Sequence, residues 1–408
     1  MSLHDPATDD TLLITVTGTD RPGVTSAVLD SLASAGVVVV DIEQILMRGR
    51  LVLGVLVSAP RDRKRLTQAL TDTVEALGMS VEIERGSGDN RARPADRAHV
   101  TVIGAPLKAS AMAAIAGRIA DCGGNIDRME RMARYPVTAI ELDVSGAAPD
   151  RLRTLLAGDA ASYGVDVAVQ PANLLRHGMR LIVMDVDSTL IQGEVIEMLA
   201  EHAGFGARVA EVTERAMRGE IDFEESLRAR VALLAGLDAS VLDQVYDAIV
   251  VNPGARTMVR VLRRLGYRFA IVSGGFSQIT DRLAADLGIH RARANTLEIV
   301  DGKLTGRVVG EVVDRAGKAR ALREFAADLG VSEAATIAIG DGANDLDMLD
   351  AAGLGIAYNA RPVVREAADT SLNVPYLDTI MYLLGITREE IEAADAEAGY
   401  VTPAPPLG

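Results

Sequence analysis

A chain of 408 residues, 49% hydrophobic and 24% charged, is too long for one ordinary core and too apolar to be disordered, so two to four globular domains are expected. Its net charge of −15 repels a phosphate backbone, which argues against nucleic acid as a partner and requires local cations for any anionic substrate. A single cysteine, Cys122, excludes an intrachain disulfide framework and a cysteine-built zinc site; with no apolar signal core in Met1–Asp10 and no run of about 18 apolar residues, no membrane span is expected and the location is cytoplasmic.

Two stretches near the N-terminus share one order of elements. In the first, Leu12–Thr17 reads as a strand, Val24–Ala35 as a helix, Val37–Ile45 and Leu51–Ser58 as strands, Arg65–Leu77 as a helix and Ser80–Glu84 as a last strand. The segment 85–97 is rich in Gly, Arg, Asp and Pro and reads as a linker. The same βαββαβ order then recurs through Val100–Ile103, Ser110–Cys122, Asn125–Met132, Val137–Val144, Asp150–Tyr163 and Val165–Gln170. Domains at 11–86 and 98–172 follow.

From Met179 the pattern changes. Short apolar strands are expected at Leu181–Met184, Arg268–Val272 and Thr336–Ile339, separated by helices, as in a parallel sheet covered on both faces. The charged, helical stretch of about 194–266 reads as an inserted cap within a domain at 179–395. Residues 396–408 read as an unstructured tail.

Ligands of such sheets bind beyond the carboxyl ends of the strands, and three strand ends here carry reactive groups. The first ends in Asp185 and Asp187, two apart and so able to project together. The second ends in Ser273-Gly274-Gly275. The third runs into Gly340-Asp341-Gly342-Ala343-Asn344-Asp345, with Lys318 shortly before it. Together they suit phosphoryl transfer. Asp185 is the expected nucleophile, sharing Mg²⁺ with Asp341, Asp345 and the backbone carbonyl of Asp187. Lys318, the Ser273 hydroxyl and N–H groups near Gly274 would hold the transferring oxygens, and the Asp187 side chain would act as acid, then base. Alone, an Asp-x-Asp or Gly-Asp-Gly run is ordinary turn chemistry; it is their joint order that carries the signal.

Met184–Leu190 (MDVDSTL), Ser273–Phe276 (SGGF), Lys318 and Gly340–Met348 (GDGANDLDM) resemble the four motifs of the haloacid dehalogenase-like hydrolases. Glu224–Gly236 (EESLRARVALLAG) and the Asp-x-Asp-Ser-Thr form look like the phosphoserine phosphatase branch. The resemblance implies a Rossmann-like core, a phospho-aspartate intermediate and a helical cap. It also implies a substrate, O-phosphoserine, whose hydrolysis completes serine biosynthesis. Matching positions assign Glu194 to the substrate ammonium and Arg230 to its carboxylate, with Met217 and Phe223 shielding it; Asn344 joins the substrate-binding set. Two other readings stay open at this stage: a phosphatase or phosphotransferase for another small phosphate, and a sensor without catalysis.

The two βαββαβ modules resemble the ACT domain, a ferredoxin-like amino-acid-binding fold. Gly18 and Gly23 in Thr17–Val24 (TGTDRPGV) let the chain turn into a helix whose N–H groups could take a carboxylate, with Asp20 for the amine. The second module lacks that segment, and its Asn125, after the helix, is the expected contact to a ligand shared across an interface. Serine is the expected effector, and exposed module edges favour a homodimer.

Overall fold

A computed structural model describes residues 10–87, 96–178, 180–217 and 220–402. They form two compact units, divided between residues 93 and 94.

In the first unit β1 (Asp10–Thr19), α1 (Val24–Ser34), β2 (Val39–Met47), β3 (Arg50–Ser58), α2 (Arg63–Ala76) and β4 (Ser80–Ser87) build an antiparallel sheet of order β2-β3-β1-β4. Alternation decides its faces. Leu12, Ile14 and Val16 of β1 and Leu53, Val55 and Val57 of β3 point to the face that α1 and α2 cover with Val28, Leu32, Leu66 and Leu70. Each such side chain contributes roughly 1.5–3 kcal/mol on burial. β4 runs three residues past the expected Glu84, because pairing with β1 continues to Ser87. β2 differs: it is an edge strand, exposed along its whole length.

The second unit opens with the repeat, β5 (Arg97–Gly104), α3 (Ala109–Asp121), β6 (Asn125–Ala133), β7 (Thr138–Ser145), α4 (Pro149–Tyr163) and β8 (Asp166–Pro171), followed by a single turn, α5 (Leu175–Gly178). The hydrolase sheet starts at β9 (Leu181–Met184), every residue of which is buried. Then come α6 (Val195–His202), α7 (Gly206–Met217), α8 (Phe223–Ala232), α9 (Val241–Ala248) and α10 (Ala255–Arg264). β10 (Arg268–Phe276), α11 (Ser277–Leu287), the hairpin β11 (Arg291–Val300) and β12 (Lys303–Val309), and α12 (Arg315–Asp328) follow. β13 (Thr336–Gly340), α13 (Leu346–Ala351), β14 (Leu354–Tyr358), α14 (Pro362–Ala367), β15 (Thr370–Leu372), α15 (Ile380–Leu383) and α16 (Arg388–Glu397) complete it.

Strands β11, β10, β9, β13, β14 and β15 are parallel neighbours in that order. The chain leaves β9 for β10 on one side and later returns to β13 on the other. That reversal opens a crevice at the carboxyl ends of β9 and β13.

The second module does not stand apart from the hydrolase. Thr370 of β15 pairs with Ala168 of β8, so one sheet of eleven strands runs through both. The Asp166 carboxylate accepts N–H bonds from Asn373 and Val374, and buried Arg176 joins Glu141 to the Leu383 carbonyl.

Two expectations need correction. The insertion closes at a bridge between Ile191 and Val251, not near 266, because Met258, Val259 and Leu262 of α10 pack into the main core. The tail is shorter than 396–408: α16 continues to Glu397, the Thr402 hydroxyl donates to Asp395, and Tyr400 lies 4.5 Å under the Arg260 guanidinium. Residues 403–408 lie outside the described part.

Candidate active site

β9 ends at Met184, and the Asp185 N–H still bonds the Ile339 carbonyl of β13 at 2.9 Å, so the two carboxyl strand ends meet at Asp185. The Asp185 Oδ1 accepts from Val186 N–H at 2.7 Å and lies 2.8 Å from Lys318 Nζ. The same ammonium donates to Asp345 Oδ1 at 2.7 Å. Lys318 is 1% exposed and Asp345 fully buried, so this is a dry triad of two carboxylates and one cation. Burial alone would lower the Lys318 pKa, but the Asp185 and Asp345 charges outweigh it and push it up. Asp185 is raised by burial first and then by repulsion from Asp345, against the pull of Lys318.

Asp341 comes from the loop after β13, held by the Thr189 hydroxyl at 2.8 Å. Burial pushes its pKa up to about 6. Carboxylate oxygens of Asp185, Asp341 and Asp345 all lie within 4.8 Å of one another. An all-oxygen set with excess negative charge fits a divalent hard cation, which these three residues would hold.

Asp187 belongs to a separate network. Its Oδ1 accepts from Val195 N–H at 2.8 Å and its Oδ2 from the Ser273 hydroxyl at 2.9 Å, while Ser273 Oγ accepts from Gly275 N–H at 2.7 Å. Burial raises its pKa, and those two donors oppose the rise. Ser273–Gly275 lie within β10, where the register against β11 shifts between Val272 and Phe276. That irregularity turns the segment toward β9. A Cβ at Gly275 would lie 2.9 Å from both Asp187 Oδ2 and Ser273 Oγ, and one at Gly340 would collide with the Asp345 carboxylate. Both glycines are required by close approach.

Above this floor a cavity of about 420 Å³ extends under α7 and α8. Glu194, Phe223, Arg230, Gly274 and Asn344 all line it with Asp185, Asp187 and Asp341. Burial, then the Asp187 charge, raises Glu194; burial lowers Arg230. Ser273, Lys318 and Asp345 lie beneath, each buried. The side chain of Met217, at the end of α7, lies outside the described part. Gly18, Asp20 and Gly23 stand at the entrance to α1 in the first unit, where Gly23 has φ 96° and α1 carries no side-chain cap. Asn125 begins β6 in the second unit, its amide bonded to Asp127.

Sequence reasoning missed four residues. Ser226 lines the cavity with a buried hydroxyl that has no hydrogen-bond partner, and Arg361 lines its rim. Asn295, 1% exposed, donates to the Gly274 carbonyl and accepts from Val313 N–H, tying β10 to the approach to α12 and Lys318. Asn252 donates to the Thr189 carbonyl at the neck of the insertion. Ser226 lies within the Glu224–Gly236 segment without being singled out there, and no motif marks the other three.

Residues 182–350 match the haloacid dehalogenase-like hydrolase family, and residues 10–84 and 97–170 each match the ACT domain. A phosphoserine phosphatase of Streptomyces coelicolor is 60% identical over 98% of both chains. One of Mycobacterium tuberculosis is 54% identical over 94% of this chain and 95% of its own. A solved haloacid dehalogenase family hydrolase of Salmonella enterica serovar Typhi superposes with a TM-score of 0.62, at 28% identity, over 70% of this chain and 98% of its own. A probable phosphoserine phosphatase of Vibrio cholerae gives 0.56 at 34% identity, over 73% and 88%. Full-length similarity at this level settles the enzyme reading over the sensor reading: the chain belongs to the phosphoserine phosphatase family of haloacid dehalogenase-like hydrolases, with two ACT domains ahead of the hydrolase domain.

Proposed function

We propose that the chain hydrolyses O-phospho-L-serine to L-serine and phosphate through a phosphorylated Asp185. The observation that carries this is the placement of Asp185 on the floor of a cavity whose walls hold Glu194 and Arg230, groups of opposite sign. A zwitterionic amino acid needs such a pair, and a phosphate needs the nucleophile below it.

Val186 N–H and Lys318 occupy Asp185 Oδ1, leaving Oδ2 to attack phosphorus as the bond to the seryl oxygen breaks. Asp187, with its raised pKa, gives its proton to that oxygen. Its carboxylate then takes a proton from water, which attacks phosphorus, releases phosphate and restores Asp185. Lys318, the Gly274 N–H and the Ser273 hydroxyl, turned from Asp187, hold the transferring oxygens. Asp185, Asp341, Asp345 and the Asp187 carbonyl would hold a divalent cation, Mg²⁺, which would supply the charge neutralisation that lets an anion approach an anion. Glu194 takes the substrate ammonium, Arg230 its carboxylate, and the Ser226 hydroxyl adds a hydrogen bond to that carboxylate. Phe223, Met217 and the cap helices exclude bulk water, and Asn344 borders the phosphate.

The same reading includes a cytoplasmic homodimer regulated by an amino acid, serine first, at Gly18, Asp20 and Gly23, with Asn125 in the second module. The uncapped start of α1 supports an anion there, and the exposed β2 supports pairing of two copies. Phosphate release from O-phospho-L-serine and from a panel of other phosphomonoesters tests the assignment. Phosphoserine should exceed the others in kcat/KM by at least about 100-fold, and Asp185→Asn should lose about 10⁴-fold or more. Equal rates across the panel would reject the substrate.

A further inference from the structure

A second cavity, of about 600 Å³, lies at the opposite end of the hydrolase sheet. Arg256, Arg260, Arg263 and Arg264 of α10 line it, with Arg268 at the start of β10 and His290 just before β11. Ser273 stands at the other end of β10, roughly 16 Å along the strand from Arg268 at about 3.3 Å per residue. This cavity is therefore separate from the active site.

Positions 256, 260, 263 and 264 fall on one face of a helix, where like charges repel. Two of these cations are compensated. Arg260 forms a two-pronged bond to Asp395 at 2.9 and 2.6 Å, and Arg264 donates to the Ala394 carbonyl and lies 3.8 Å from Asp395. Arg256, Arg263 and Arg268 form no carboxylate ion pair among the described residues. The one carboxylate on the wall, Asp286, is engaged by the Tyr246 hydroxyl. His290 reports the excess: burial, then Arg268 and Arg263, hold its pKa below the usual value. Such a concentration of positive charge stands out in a chain of net charge −15.

We propose that this cavity binds a small polyanion bearing two or more phosphate groups, gripped by Arg256, Arg263 and Arg268. Guanidinium forks match phosphate oxygens two at a time, and three uncompensated cations suit a diphosphate better than a single carboxylate. The volume lies within the roughly 300–1,000 Å³ typical of small-molecule sites. The chain's overall negative charge rejects a nucleic acid but not a small anion that meets only this local cluster of cations.

Inorganic pyrophosphate is the probe, titrated calorimetrically into the full-length protein with a chelator present so that no cation carries it to Asp185. Saturable binding of one pyrophosphate per chain is expected, weaker in higher salt and weakened at least 10-fold in Arg263→Gln/Arg268→Gln. Arg256→Gln, on the exposed helix face, should weaken it as well. All variants should keep wild-type kcat/KM for phosphate release in the absence of pyrophosphate, showing that the fold is intact. Absence of saturable binding to the wild type would overturn the proposal, as would equal binding by the double variant.

Discussion

Gly275 shows how tightly the nucleophile's surroundings are packed. Its missing Cβ is what lets Asp187 Oδ2 and Ser273 Oγ meet at 2.9 Å. Gly275→Ala should push those groups apart and spoil proton delivery by Asp187. The expected result is a 10- to 100-fold loss of kcat/KM, about 1.4–2.7 kcal/mol, with Tm lowered by only a few degrees. Steady-state kinetics and thermal unfolding of the same preparation check both halves. Asp185, Asp187, Ser273, Lys318, Asp341 and Asp345 were legible in the sequence as candidates because each sits at a strand or helix boundary, all but Lys318 in a short run. Ser226, Asn252 and Asn295 were not. Asn252 and Asn295 matter only through a partner brought close by folding, such as Gly274 for Asn295, and Ser226 only through the cavity wall it joins.

At the scale of elements, α10 and α16 illustrate a contact that local pattern does not reveal. The fully buried Asp395 carboxylate binds Arg260 and Thr402, and Tyr400 packs on the same guanidinium. Burial acts to raise the Asp395 pKa, but Arg260 and Thr402 outweigh it and hold it below the usual range. A depressed carboxylate stabilises the fold above the unfolded pKa of about 3.9, and that stability is lost as pH falls through the lower folded value. Asp395→Asn should therefore cost about 1–3 kcal/mol at pH 7, discounted for the partial exposure of Arg260. The gap from wild type should begin to narrow below about pH 4, the unfolded value. Denaturant unfolding at pH 7 and pH 3.5 measures it; an equal gap at both would contradict the pairing. The same helix explains why the cap ends earlier than its charge pattern suggests. Its arginines face outward while Met258 and Leu262 face the core, so a charged stretch is also a core helix.

The whole molecule concentrates negative charge at one point. Five carboxylates, Asp185, Asp187, Glu194, Asp341 and Asp345, face three cations, Lys318, Arg230 and Arg361. Chelation should abolish turnover, and restoring Mg²⁺ should raise stability by about 2.7 kcal/mol at one hundred times its Kd. Thermal unfolding across a Mg²⁺ series gives the test, with an unchanged Tm as the contrary outcome. Assembly belongs to this scale too. Ile45 and Met47 of β2 are 54% and 71% exposed on an edge strand, an apolar row that a second copy would cover. If the proposed homodimer forms through this row, light scattering should give a dimer for wild type and a monomer for Ile45→Lys/Met47→Lys. A monomeric wild type would remove β2 from that role.

The sequence alone determined the strands and helices of the two βαββαβ modules, the strands β9, β10 and β13 of the hydrolase sheet, and that four motifs for phosphoryl transfer stand in order. These follow from side-chain periodicity and turn chemistry, which act over a few residues. Only the tertiary structure decided that β8 joins β15 and that Lys318 bridges Asp185 and Asp345. Those contacts link positions far apart in the chain, and they exist because burying a shared core brings together groups whose local sequences say nothing of one another.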